Sequence, residues 1–289
     1  MILLSSGASG AAFRTEIADR RQWIAQTEAD IRAGNRAPIY CNICDRPQIA
    51  MVDGGPDFGP GYPNLREGLV CPCGAKNRDR LMVLASRDRL LTSSRTYFFG
   101  AMSGWADWAR RVRSETTTFC EYLADDCSRG REVTLEPSGL VVRNEDLTCT
   151  SFDDASADLV LHQDVLEHIP DFRAALRETR RILRPGGATL FTAPFFDVLD
   201  QGWVRARIAE DGQIEHLMTE ERHGDPLSPE GILAFYNFGW DLLAAIREEG
   251  FEEVAATMVY APDLGLVSNG CPVPEGNMLP IYISATRPA

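Results

Sequence analysis

The stretch Glu145–Pro194, EDLTCTSFDDASADLVLHQDVLEHIPDFRAALRETRRILRPGGATLFTAP, decides the fold. Phe152–Ala157 is an acidic turn that feeds an apolar run at Leu159–His162, a strand candidate. Phe172–Leu183 repeats its apolar residues at helical spacing, and Thr189–Ala193 is a second apolar run. Between them, Arg184-Pro185-Gly186-Gly187 stops the helix and reverses the chain within a few residues.

The same alternation extends outward in both directions. Upstream, strands are predicted at Thr96–Phe99, Thr117–Tyr122 and Val141–Arg143, with a helix at Trp105–Val112. Downstream, a helix over Trp240–Glu249 precedes strand-like runs at Glu253–Val259 and Leu279–Ser284. Near-continuous apolar strands alternating with helices indicate an α/β fold: a doubly wound, mostly parallel sheet covered on both faces. The stretch 197–238 interrupts the pattern and reads as an insertion over the edge where ligands bind. At the other end, Phe13, Ile17, Ile24 and Ile31 share one face of a helix predicted over 13–33, which Gly34 terminates. Residues 37–80 are rich in Pro, Gly and Cys without periodicity, and Arg80–Leu91 reads as a short linking helix. The expected division is an N-terminal helix (1–36), a small Cys-rich module with its linker helix (37–92) and the α/β domain (93–289).

Composition limits the partners. A formal net charge of −13 over 289 residues argues against nucleic acid, whose phosphates call for a basic surface. No apolar run reaches the length of a membrane span. The opening MILLSSGASG lacks a basic segment before its apolar residues, so no signal peptide is expected and the cytoplasm is the simplest compartment. In that compartment eight cysteines are not a disulfide framework. Cys120, Cys127, Cys149 and Cys271 are scattered and read as buried thiols. The composition says nothing about oligomeric state.

In a doubly wound sheet, ligands bind at the C-terminal ends of the strands. The first strand of the domain ends in Phe98-Phe99-Gly100, and Gly104 follows; the two glycines let backbone approach a ligand closely. Twenty-one residues after Gly100, Glu121 ends the second strand, where a carboxylate can accept hydrogen bonds from a ribose diol. An acidic residue after a strand is also common without a ligand. Asp146 follows the third strand and is placed to accept from an adenine amino group, with the backbone N–H of neighbouring Leu147 as a donor to a ring nitrogen.

With these residues in place, Glu145–Pro194 resembles the core of bacterial class I S-adenosylmethionine-dependent methyltransferases. The match runs in order from an acidic adenine contact, through a strand and Val165-Leu166-Glu167-His168-Ile169, to the Pro-Gly-Gly turn. The small-molecule type, similar to methyltransferase domain 11, is the nearest kind. The Cys-rich segment with Asn77-Arg78-Asp79-Arg80, and the later HGDPLSPEGILAFYNFGWDLL, resemble one bacterial subgroup of it. The resemblance implies a Rossmann-like sheet, S-adenosylmethionine as cofactor, Glu121 at its ribose, Asp146 at its adenine, and His162 and Gln163 near its methionine end. The chain departs from the family at the first loop, where Gly100-Ala101-Met102-Ser103-Gly104 replaces an acid followed by Gly-x-Gly-x-Gly.

Methyl transfer is an in-line displacement, in which positioning and exclusion of water do most of the work. A hydroxyl or amine acceptor would also use a general base. His168, between the fourth strand and its helix, and His223, within the insertion, are the candidate catalytic residues; local packing and loop ordering are their alternatives. Phe235, Tyr236, Phe238 and Trp240 are candidates to wall an acceptor pocket or to pack in the core. Cys41-x2-Cys44 with Cys71-x-Cys73 reads as a closed, structural zinc site, with free thiols as the alternative. The expected activity is methyl transfer to a small-molecule or glycan-like acceptor. A catalytically silent methyltransferase-fold scaffold is the alternative from another class. A nicotinamide-dependent oxidoreductase would need Gly-x-Gly-x-x-Gly after the first strand, where only Gly100 and Gly104 stand.

Overall fold

Nine strands form one sheet in the computed structural model, which describes residues 3–7, 9–53, 57–59, 61–124 and 128–289. They are β1 (Leu3–Gly7), β2 (Thr96–Phe99), β3 (Thr117–Glu121), β4 (Glu132–Leu135), β5 (Leu140–Asn144), β6 (Ala157–Gln163), β7 (Leu183–Thr192), β8 (Glu252–Tyr260) and β9 (Ile281–Thr286). Across the sheet the order is β1-β8-β9-β7-β6-β2-β3-β5-β4. The pairs β7–β6, β6–β2, β2–β3 and β3–β5 are parallel. The remaining strands join antiparallel, β4 at one edge and β9, β8 and β1 at the other. The sheet is therefore doubly wound and mostly parallel at its centre. The chain runs outward from β2 through β3 to β5, then returns to place β6 on the other side of β2. That reversal makes a switch point, and the crevice it leaves opens at the C-terminal ends of β2 and β6.

Alternation along the central strands sorts the core into two layers. Tyr97 and Phe99 of β2, with Val160 of β6, pack on one face against Leu176 and Ile182 of α5 (Phe172–Ile182) and Leu243 and Ile246 of α6 (Asp241–Glu248). Phe98, Leu159 and Leu161 point the other way. They meet Met82 and Leu90 of α3 (Asn77–Thr92) and Trp105 of α4 (Gly104–Arg113). Both faces are thus covered, and all four residues of β2 are buried.

The N-terminal helix divides into α1 (Gly10–Ile17) and α2 (Arg21–Gly34) around a single 3-10 turn. Arg14 donates to the Asp197 carbonyl and Arg21 to its carboxylate, which ties this segment to the start of the 197–238 stretch. β1, too short and too weakly patterned to read from sequence, adds an edge strand to β8. Strands Arg36–Cys41, Arg46–Val52 and Leu69–Val70 form the small sheet of the Cys-rich segment. Arg80, fully buried, donates to the carbonyls of Leu69 and Ala75 within that segment and of Leu264 and Gly265 beyond it. The segment therefore shares hydrogen bonds with the C-terminal part of the chain. No described helix is long and apolar enough to cross a membrane.

Candidate functional site

A cleft of about 1420 Å³ lies over the C-terminal ends of β2, β3, β5 and β6. Gly100, Glu121, Asp146, Leu147, Gln163, His168 and His223 all line it, while Gly104 and His162 do not. Gly100 has φ +76°, a left-handed conformation that favours glycine, so the chain turns sharply out of β2 beneath the cleft. Gly104 serves packing: a Cβ there would come within 2.8 Å of Asp79 Oδ2. The missing side chain lets the start of α4 press against the Cys-rich segment, and Ser103 caps that helix by accepting from the Ala106 N–H.

Glu121 ends β3 with its Oε1 accepting from the Tyr122 N–H at 3.3 Å. Burial pushes its carboxyl up to about 7, because the few hydrogen bonds it accepts do not replace the water it loses. Asp146 is held differently. Its Oδ1 accepts from both the backbone N–H and the hydroxyl of Thr148, at 2.8 and 2.7 Å. That turn fixes the carboxylate and leaves Oδ2 without a partner among the described residues. Gln163 donates its amide to Asp79 Oδ1 at 3.2 Å, while its own Oε1 is buried and unpaired.

His162 faces the interior. It is 1% exposed, stacks on Phe191 at 4.3 Å, and burial lowers its pKa to about 3, so it is a neutral core residue. The next residue but one carries charge instead. Asp164, at φ +51°, accepts from Arg66 through both carboxylate oxygens (2.6 and 2.7 Å), from Arg78 at 2.6 Å and from Thr192 at 3.0 Å. Burial opposes its ionisation, but the two guanidinium groups hold its carboxyl well below the usual range. Glu67 joins the group through Arg66, Lys76 and Arg78. Cations from the Cys-rich segment thus pin the tip of β6 at the cleft. Sequence reasoning missed this hub, because partners nearly a hundred residues apart leave no local spacing.

Three further side chains meet at the far side of the cleft. Glu167 is fully buried with no hydrogen-bond partner on either oxygen, and burial pushes its carboxyl well above the usual range. His168 Nδ1 donates to the Leu233 carbonyl at 2.8 Å, and burial lowers that ring's pKa to about 4. His223 projects from a hairpin of Arg222–Asp225 paired with Ser228–Leu233, and its Nε2 donates to Glu221 at 3.0 Å. The two rings stand edge to face, 5.0 Å apart. A backbone hydrogen bond from Phe235 to the Glu167 carbonyl (2.7 Å) ties the chain after the hairpin to this loop. The aromatic candidates lie elsewhere. Phe235, Phe238 and Trp240 are buried, and Tyr236 donates to the Pro170 carbonyl, so none lines the cleft.

Away from the cleft, Cys41, Cys44, Cys71 and Cys73 converge, with all four sulfurs within 4.8 Å of one another. Cys41–Cys73 and Cys44–Cys71 are separated by 3.9 and 3.5 Å. Four sulfurs on one tetrahedral zinc ion would lie about 3.8 Å apart. The donor set therefore fits zinc, and the shorter Cys71-x-Cys73 spacing does not prevent convergence. Backbone N–H groups of Cys44 and Ile43 turn toward the Cys41 sulfur, and Arg80 lies within electrostatic reach of Cys41, Cys71 and Cys73. Of the scattered cysteines, Cys120 is buried as expected, whereas Cys271 is only half-buried and Cys149 exposed, which corrects the expectation of buried thiols for these two; Cys127 lies outside the described residues.

Several known proteins resemble this chain. The family described as "Methyltransferase domain" matches residues 104–191. A sarcosine/dimethylglycine N-methyltransferase of Halorhodospira halochloris is 33% identical over 237 residues, covering 79% of this chain and 76% of that protein. Among solved structures, an S-adenosylmethionine-dependent methyltransferase from Mesorhizobium loti is 17% identical with a TM-score of 0.41, covering 72% of this chain and 98% of its own. A phosphoethanolamine N-methyltransferase from Haemonchus contortus is 15% identical with a TM-score of 0.42, covering 73% of this chain and 53% of its own.

Proposed function

Because the chain belongs to the class I S-adenosylmethionine-dependent methyltransferases, we propose that its cleft holds the cofactor along β2, β3 and β5, and a small-molecule acceptor beneath the hairpin. The carrying observation is the placement of Glu121 and Asp146 at neighbouring strand ends around the Gly100 turn. Glu121 would take the ribose diol, whose two O–H donors suit a carboxylate short of hydrogen bonds. Asp146 Oδ2 would accept from the adenine amino group, with the Leu147 N–H on a ring nitrogen. The unpaired Gln163 Oε1 would accept from the ammonium of the methionine end. The departure at the first loop is compatible with this: one left-handed glycine at 100 makes the turn, and Gly104 answers a packing demand.

The bound cofactor supplies an electrophilic methyl on a sulfonium. The chain's own residues hold the acceptor in line, exclude water and take up charge where the acceptor loses its proton. His168 and His223 form the polar end of the cleft for that purpose, and the His223 hairpin covers it. A small acceptor agrees with the relative named for sarcosine and dimethylglycine, and a formal net charge of −13 disfavours nucleic acid. The Cys-rich segment would hold one structural zinc, its thiolate charge offset by Arg80. Residues 1–36 and 37–92 would then act as a brace for the domain at 93–289, through Arg66 and Arg78 on Asp164. Isothermal titration with S-adenosylhomocysteine tests the cofactor half: micromolar binding is expected, and none at millimolar concentration would leave a silent scaffold.

A further inference from the structure

We propose that Glu167, His168 and His223 bind a divalent first-row transition-metal ion at the acceptor end of the cleft, which makes an oxygen acceptor the favoured substrate class. The inference rests on the acceptor end assigned above and deepens it: the two histidines serve there as ligands, and the ion they hold, not a ring nitrogen, activates the acceptor. One ligand atom from each of the three residues lies within 4.8 Å of the others. Glu167 Oε1 stands 3.7 Å from His168 Nε2 and 3.7 Å from His223 Nδ1. An ion about 2.1 Å from both atoms of such a pair subtends an angle of about 120°, within the range of ordinary coordination.

The tautomers are set from outside. The Leu233 carbonyl and the Glu221 carboxylate can only accept, so His168 Nδ1 and His223 Nε2 must carry the protons. The lone pairs are then on His168 Nε2 and His223 Nδ1, the two nitrogens nearest Glu167. Ligating histidines characteristically donate their second ring N–H to a carbonyl or carboxylate, which fixes the ring and raises its basicity. Both histidines here have that outer partner. Glu167 supplies the independent observation: a fully buried carboxyl group with neither oxygen hydrogen-bonded is costly in either protonation state, and a cation meeting both of its neighbours would satisfy it. The nearby cations do not: Arg66 and Arg78 are spent on Asp164 and Glu67.

Two imidazoles and one carboxylate suit manganese, iron, cobalt or zinc in the divalent state and leave coordination positions open. His168 and His223 line the cleft, so an ion held between them and Glu167 would be reached from it. A hydroxyl bound there becomes more acidic and releases its proton to solvent. Its oxygen lone pair forms the new O–C bond, and the S–C electron pair stays on sulfur as the neutral thioether. The ion would also join the hairpin to the loop after β6, since its ligands come from both.

Manganese(II) followed by electron paramagnetic resonance is the test, because this ion avoids thiolates and so reports separately from the four cysteines. One Mn²⁺ per chain is expected in the wild type. His223→Ala and Glu167→Gln should each weaken it by at least about tenfold, with S-adenosylhomocysteine binding retained as the sign of an intact fold. Absence of Mn²⁺ binding in the wild type, or wild-type affinity in both variants, would overturn the site. Retained nucleoside binding in that event would leave the cofactor assignment standing, so the two failures are distinguishable.

Discussion

Glu121 offers the sharpest test of the cofactor assignment, because its burial predicts both a magnitude and a pH dependence. With the carboxyl pushed up to about 7, half the chains carry a protonated Glu121 at neutral pH. A ribose diol donates two O–H groups and so binds the carboxylate form; binding draws the pKa down and releases a proton whenever the pH lies below about 7. Cofactor affinity should therefore be nearly constant above pH 8 and fall about tenfold between pH 8 and pH 6, approaching a factor of ten per unit below that. The sign is loss of affinity on acidification. Glu121→Gln removes the charge while keeping the shape. Hydrogen bonds to a charged group contribute about 1.5–3 kcal/mol each, so losing the charge from two of them should weaken binding by about 100-fold at pH 8 and flatten the profile. Titration calorimetry with S-adenosylhomocysteine, in two buffers of different ionisation enthalpy, reads affinity and proton release together; the variant corrects for titration of the ligand. Equal affinity at pH 8 and pH 6 in the wild type, or wild-type binding by the variant, would remove Glu121 from the ribose.

Three other outcomes are expected. Asp146→Ala should cost about 1–3 kcal/mol of cofactor affinity by the same calorimetry, since the adenine amino group would lose its acceptor in the cleft. Replacing Cys41 and Cys44 by Ser should abolish zinc found by elemental analysis of the purified protein and lower the melting temperature; a wild-type protein without zinc would refute the metal assignment. Asp164→Asn should destabilise the fold by about 3–5 kcal/mol in denaturant titration, because Arg66 and Arg78 would be left without their shared buried counter-charge. Since the Asp164 carboxyl is depressed in the folded chain, its contribution is present above its unfolded pKa and lost as the pH falls through the folded one. The variant should lack that acid-dependent loss.

Local pattern made the sheet readable. β2 begins and ends where the apolar run Thr96–Phe99 does, and β3, β5 and β6 fall within a residue or two of expectation, because burial on both faces demands unbroken apolar strands. The turn at Gly100, the strand-end acids Glu121 and Asp146, and the cysteine pairs were equally visible, since each depends on spacing along a few residues. The edge strand β4 was not read from the sequence, and neither were β1 and the break between α1 and α2. The last two depend on what the chain packs against: β8 for the strand, and for the helices the Asp197 segment that holds Arg14 and Arg21.

By itself the sequence determined the central strands and the helices between them, the location of the crevice and the residue types at its strand ends, because these follow from periodicity and from turns closed within a few positions. Tertiary structure alone decided which groups are buried and which face one another. It turned His162 into the core against Phe191 and brought Arg66 and Arg78 across the fold onto Asp164. It also set His223 opposite Glu167 and His168, more than fifty residues away in the chain. Desolvation and long-range charge pairing depend on three-dimensional proximity, which no local spacing encodes. The strand-end side of the cleft, with Gly100, Glu121 and Asp146, was therefore legible from the chain, and the cluster of Glu167, His168 and His223 became so only in the fold.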